Sequence, residues 1–293
     1  EVVAFAEEEG QRYKATFLGS GALVGQFNSD WLTQLDADGI SMRDAMRNAG
    51  LNEKDITQIQ RNPAHYLGFV EVHIEQGPVL EANDKTIGVV TGALGQRWFD
   101  VVVTGSEAHA GPTPMPLRKD ALLAASYMVQ LVNRLALDHA PNARGTVGML
   151  DVYPNSRNVI PGTVKFSVDL RADNNETLAA MVASLQAEAA VIAQKGQVSI
   201  EMNQTVYFPP AAFAKPLVDA VRDSATEMGM SAMDAVSGAG HDAVYMARIA
   251  PTAMIFIPCK DGISHNEIED ARPDHIEAGC NVLLHAMLKQ ATV

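Results

Sequence analysis

The sequence predicts an α/β fold in which one domain is inserted into another, and three observations predict it. An apolar run at residues 2–6 leads directly into Glu7-Glu8-Glu9, which puts carboxylates at the carboxyl end of a strand, where open α/β sheets place their chemistry. A second strand at 69–76 alternates, with Val70, Val72 and Ile74 on one face and Glu71, His73 and Glu75 on the other. Between about 98 and 206 the periodicities run β-α-β-β-α-β, the split order of a ferredoxin-like sandwich.

At 293 residues the chain exceeds the size at which a single core stops growing. The reading divides it into 1–91 and 208–293, the two parts of a catalytic domain, and 92–207, the insert. Residues 29–62 read as short helices and loops. Within the insert, strands are expected at 98–104, 146–152, 163–171 and 198–206. A helix is expected over 117–135, with Leu117, Ala121, Ala124, Met128, Leu131 and Leu135 inward, and another over 176–194. The outer domain resumes with a helix at 213–228, a buried strand at 252–257 and a last helix at 273–289. Pro273 opens that helix, and Ile276, Cys280, Leu283, Leu284 and Met287 are its expected core face.

Composition narrows the function. Hydrophobic residues make up 47% and charged residues 19%, so neither disorder nor a bilayer-spanning segment is expected. The net charge of -13 without basic clusters argues against nucleic-acid binding. Cys259 and Cys280 are too few for a disulfide framework and lack structural-zinc spacing, which fits a cytoplasmic setting. Gly19-Ser20-Gly21 lacks the Lys-Ser/Thr ending of a phosphate loop and reads as packing.

The chemistry-bearing residues cluster at strand ends. Adjacent Glu8 and Glu9 repel unless a cation or proton lies between them. His73 shares a strand face with acids, and His265, in Gly262-Ile263-Ser264-His265-Asn266-Glu267, lies beyond the 252–257 strand. A mixed carboxylate and imidazole set suits zinc, manganese or cobalt, with Glu8 beside it as a general base. Arg171 ends a strand whose polar face includes Ser167 and Asp169, a position from which a guanidinium grips a carboxylate in two hydrogen bonds. His109 follows a strand in a turn stiffened by Pro112 and Pro114.

With these stand Ala108-His109-Ala110-Gly111-Pro112-Thr113-Pro114-Met115, Asn158-Val159-Ile160-Pro161-Gly162, Asp169-Leu170-Arg171 and Ser237-Gly238-Ala239-Gly240-His241-Asp242-Ala243. In this ordered combination the chain resembles the hydantoinase/carbamoylase group of metal-dependent amidohydrolases, within the dizinc aminoacylase and carboxypeptidase superfamily. The resemblance implies a mixed-sheet, metallo-exopeptidase-like catalytic domain interrupted by a lid and dimerisation domain. It implies two divalent ions (zinc, manganese or cobalt) held by Glu9, His73 and His265, with Glu8 as base and His109 steadying the oxyanion. Gln76, Asn158, Arg171, Gly240 and His241 are implied as substrate contacts. Further ligands, a His-x-Asp pair and a bridging acid, are implied upstream of Glu8. The sequence opens without them, so metal occupancy by this chain alone is expected to be weak.

The implied reaction is hydrolysis of a linear ureido or amide C–N bond in a small carboxylate, foremost an N-carbamoyl-L-amino acid, by a homodimer paired through the lid. Alternatives within the same chemistry are allantoate or ureidoglycolate amidohydrolase, β-ureidopropionase and dipeptidase or aminoacylase. From a different class, the alternative is a non-catalytic binding protein with a degenerate site.

Overall fold

The structure, a computed structural model, describes residues 1–291. The chain forms two compact units, one of Glu1–Ala93 with Ala212–Val293, the other of Leu94–Ala211.

The first unit is built on a mixed sheet. Phe69–Ile74 runs parallel to Thr252–Ile257, with His73 opposite Phe256. Thr252–Ile257 pairs antiparallel with Ile87–Ala93, which in turn pairs parallel with Ala232–Ser237. All six residues of Thr252–Ile257 are buried, as its uninterrupted apolar run requires of a strand covered on both faces. Helices Lys215–Glu227 and Pro273–Ala291 share its core, through Leu217, Val218 and Val221 on the first and Ala278, Val282 and Ala286 on the second.

Two expectations for this unit are overturned. Residues 2–6 are not a strand: Val2 is 99% exposed, and the segment has no ladder partner. Instead the carbonyls of Ala6, Glu7 and Glu8 accept from the backbone N–H groups of Gly19, Leu18 and Phe17, which ties the segment to the start of helix Leu18–Leu23. The last helix also presents a different face. Ile276, Cys280, Leu284 and Met287 are exposed and Leu283 is half-buried, while the packed stripe is Ala278, Gly279, Val282 and Ala286. The small residues win because they let the helix lie close on the sheet. A Cβ at Gly279 would meet Ile257 Cγ2 at 2.7 Å and Val72 Cγ2 at 2.9 Å.

The second unit has the β-α-β-β-α-β order. Its antiparallel sheet runs Ala143–Thr146, Thr163–Ala172, Gly95–Thr104, Ser199–Phe208. The strand expected at 146–152 is divided into Ala143–Thr146 and Leu150–Tyr153, both paired with Thr163–Ala172. Val164, Phe166, Val168 and Leu170 are buried in the core with helices Ala121–Asp138 and Asn175–Gly196, while Ser167, Asp169 and Arg171 alternate on the other face. Asn175–Gly196 is long and apolar enough to cross a membrane by length and composition, yet Leu178, Met181, Val182, Leu185 and Ala189 are buried within this core. The other helix begins at Ala121 rather than 117 because the Asp120 carboxylate accepts the N–H groups of Leu122 and Leu123, both at 3.0 Å. Asp120→Ala removes that cap and should cost about 1 kcal/mol. Urea unfolding measures it, and an unchanged midpoint would count against the capping role.

Candidate active site

Glu8 and Glu9 follow Glu7, whose backbone turns through the left-handed region at φ 54°. Glu9 Oε1 lies 3.2 Å from His265 Nε2. His265 sits in the loop after Thr252–Ile257, itself at φ 55°, where its N–H donates to Glu269 Oε2 at 3.1 Å and the Ser264 hydroxyl donates to the same oxygen at 2.7 Å. A non-glycine residue in that region costs of order 1–3 kcal/mol and persists only where its surroundings hold it, here the Glu269 clamp. Glu8 is half-buried. Burial, and next the charges of Glu9 and Asp242, push its carboxyl up to about 7, while His265 pulls the other way.

A second knot of donors forms on the Phe69–Ile74 strand. Glu71 and His73 project from one face at an i, i+2 spacing, and His241 approaches from the start of helix Asp242–Met246. Ligand atoms of Glu71, His73 and His241 all lie within 4.8 Å of one another. The two imidazoles meet edge to face at 4.6 Å between centroids. His73 Nδ1 is 2.7 Å from the carbonyl of Ile74, an acceptor only, so in the neutral ring that nitrogen carries the proton and Nε2 keeps its lone pair. His241 is 3% exposed; burial, and then His73, lower its pKa to about 3, so the ring is neutral.

Glu71 Oε2 accepts from Ala243 N–H at 3.0 Å, yet burial first and the Asp242 charge second push its carboxyl up to about 7. Asp242 is itself raised by burial, against a hydrogen bond from Ser20, and its Oδ1 is buried without a hydrogen-bond partner. Carboxyls raised chiefly by burial, an orphaned buried oxygen and an imidazole nitrogen with a free lone pair are what a divalent cation satisfies. The residues present therefore fit a metal.

The sequence-derived ligands are thus distributed in two groups. Glu9 and His265 form a pair; His73 stands with Glu71 and His241. Gln76 lies just beyond the Phe69–Ile74 strand at φ 57°, its Oε1 buried without a partner. Gly240 packs so tightly that a Cβ would meet Phe17 Cζ at 2.9 Å. Sequence reasoning assigned no role to Glu71, Ser237 or Asp242. The signal available was Glu71's place two residues before His73, and the polar neighbours flanking Gly240-His241.

In the second unit, His109 and Val159 are paired in a two-stranded ribbon, and Ala110 N–H donates to the Asn158 carbonyl at 2.9 Å. His109 Nδ1 accepts the N–H of Gly111 at 3.1 Å, so the neutral ring carries its proton on Nε2 and presents a donor there. Arg118 braces the turn by donating to the carbonyls of Ala110 and Thr113, at 2.6 and 3.1 Å. The Asn158 side-chain oxygen accepts from Ser156 at 3.2 Å. Arg171 is half-buried and grips Asp169, with Nη2 2.7 Å from Oδ2 and Nε 3.1 Å from both oxygens.

The chain matches Peptidase family M20/M25/M40 over residues 1–289. It is 40% identical to N-carbamoyl-L-amino-acid amidohydrolase of Rhizobium meliloti, over 100% of this chain and 70% of that protein. It is 35% identical to allantoate amidohydrolase of Bacillus subtilis (strain 168), over 99% of this chain and 70% of that protein. Among solved structures, it is similar to an amidase of the hydantoinase/carbamoylase family from Burkholderia multivorans, with a TM-score of 0.91 and 49% identity over 98% of this chain and 69% of that one. The chain therefore belongs to Peptidase family M20/M25/M40, and within it stands with the hydantoinase/carbamoylase amidases.

Proposed function

We propose that the protein is a metal-dependent amidohydrolase that cleaves a linear ureido or amide C–N bond of a small carboxylate, an N-carbamoyl-L-amino acid before allantoate. The observation that carries this reading is a half-buried Glu8 with its carboxyl raised to about 7, set electrostatically among Glu9, His265 and Asp242. A group poised near neutral pH is suited to general base and acid work. The stronger likeness to the N-carbamoyl-L-amino-acid amidohydrolase supports that substrate over allantoate.

Glu9, His73 and His265 would hold two divalent ions, zinc, manganese or cobalt, whose contribution is to polarise the scissile carbonyl and acidify water. Glu8 takes the proton of the attacking water and returns it to the leaving nitrogen. The Nε2–H of His109 would donate to developing oxyanion charge, a role its Gly111-fixed tautomer supports. Asn158 and Arg171 hold the substrate carboxylate, and Asp169 orients the guanidinium through Nε and Nη2. Gln76, Gly240 and His241 line the pocket. The products are the amino acid, ammonia and carbon dioxide. The protein works as a homodimer joined through the second unit, and in the cytoplasm, a setting its unpaired Cys259 and Cys280 support.

Glu8→Gln should lower ammonia release from N-carbamoyl-L-amino acids by at least about 10²-fold with metal content unchanged. Near-normal turnover would remove Glu8 from the reaction. Arg171→Ala should raise KM by roughly 1.5–3 kcal/mol, about 10- to 150-fold, with a smaller change in kcat; an unaltered KM would place the carboxylate elsewhere.

The raised carboxyls also set a pH dependence of stability. Below 4.5, the ordinary value, Glu8 and Glu71 are protonated in folded and unfolded chains alike, and their contribution is fully present. It is lost as pH rises toward about 7, because the unfolded chain releases these protons first. In the metal-free protein the urea midpoint should fall across that window, and Glu71→Gln should flatten the fall. A variant that keeps the wild-type slope would show that Glu71 is not responsible.

A further inference from the structure

We propose that Trp98, Val206 and Phe208 form the surface that selects the substrate's side chain, so that the protein prefers N-carbamoyl-L-amino acids with a large apolar side chain, aromatic ones foremost. The proposal rests on the amidohydrolase reading, in which Arg171 holds the substrate carboxylate, and it names what lies beside that carboxylate.

Strand register decides which residues share a face with Arg171. Gln96 stands directly opposite Arg171, and Phe208 directly opposite Gln96. One step along the sheet, Trp98 is opposite Asp169 and Val206 is opposite Trp98. Residues directly opposite one another in antiparallel strands point to the same side, so these six side chains form two short neighbouring rows. The intervening residues take the helix side. Phe99 is buried in the core, and the Tyr207 hydroxyl donates to Asn175 Oδ1 at the start of helix Asn175–Gly196. Arg97 lies with Tyr207, its guanidinium 4.6 Å from the ring centroid.

The two rows change character along their length. At one end Arg171 and Asp169 make a charged corner. At the other, Trp98 is 40% exposed and Phe208 39%, with Val206 half-buried beside them. The next row along the sheet is polar again, with Asp100 opposite both Ser167 and Asn203. An open apolar patch with a polar rim is the mark of a binding surface. Two rings open to this extent offer far less area than the roughly 800 Å² that each partner buries in a stable protein interface, and they suit a single side chain. A carboxylate gripped at Arg171 leaves the rest of an amino acid within reach of Trp98, its diagonal neighbour at about 7–8 Å. An aromatic side chain gains most there, because paired rings attract beyond their area burial. A glycine derivative has nothing to place on this surface.

The sequence holds two tryptophans, Trp31 and Trp98, so in Trp31→Phe protein the emission of Trp98 alone reports on this face. Titration of that protein with N-carbamoyl-L-phenylalanine and N-carbamoylglycine, together with ammonia release by the metal-supplied enzyme, tests the proposal. The phenylalanine derivative should change Trp98 emission and exceed the glycine derivative in kcat/KM by at least about tenfold. Trp98→Ala should bring that ratio down by about tenfold, and Phe208→Ala should lower it in the same direction. Circular dichroism verifies folding, and should Trp98→Ala not fold, Phe208→Ala carries the test. A wild-type ratio near one, or a ratio that both variants leave unchanged, would overturn the proposal while hydrolysis of both substrates keeps the amidohydrolase reading standing. Trp98 emission that shifts with protein concentration alone would put a second copy of the chain on this face and likewise overturn it. Hydrolysis of neither substrate would remove the amidohydrolase reading and the proposal with it.

Discussion

The constraint on which the first unit depends is the crowding of negative charge in a place with little water. Glu8 and Glu71 both feel the charge of Asp242, and burial raises all three. Isolated carboxyls would escape to solvent, and here the backbone prevents it. Glu8 is held by the hydrogen bond from Phe17 to its carbonyl, Glu71 by its place in the sheet, and Asp242 by a short helix whose first turn is tied to Glu71 through Ala243. The sheet accepts the cost of keeping these groups together, and the amphoteric imidazoles beside them are the complement that lets a cation settle it.

The second unit is organised on the opposite principle. Its core cluster is apolar, and the polar groups singled out above lie on the other sheet face and on the ribbon that carries His109 and Asn158. Rigidity there comes from two arginines: Arg118 ties two backbone carbonyls of the His109 turn, and the Asp169 carboxylate holds Arg171 along the strand. Each side chain with a chemical role is oriented by a neighbour within a few residues, which makes the unit a set of locally determined fixtures on a sandwich.

That locality explains what was legible in the sequence. The Thr252–Ile257 strand and the β-α-β-β-α-β order were readable because burial writes itself into runs and alternations of apolar residues. Glu9 and His265 stand 3.2 Å apart although only His265 follows a strand. Residues 2–6 were misread because an apolar run records the wish for a partner and not its presence. The face of the last helix was misread because close packing favours alanine and glycine, which a search for large apolar residues passes over. The Glu71 contact with Ala243 spans 172 positions, and nothing in local spacing reports a hydrogen bond across that distance.

Gly279 bears on more than the helix that contains it. The two atoms that a side chain there would strike belong to Val72, between Glu71 and His73 in the chain, and to Ile257, the last residue of the strand that leads toward His265. A methyl group at this one position would act as a wedge behind both donor groups at once, displacing carboxylate and imidazole without touching either. The rear surface of the sheet is therefore as much a determinant of ligand geometry as the side chains that meet at its front.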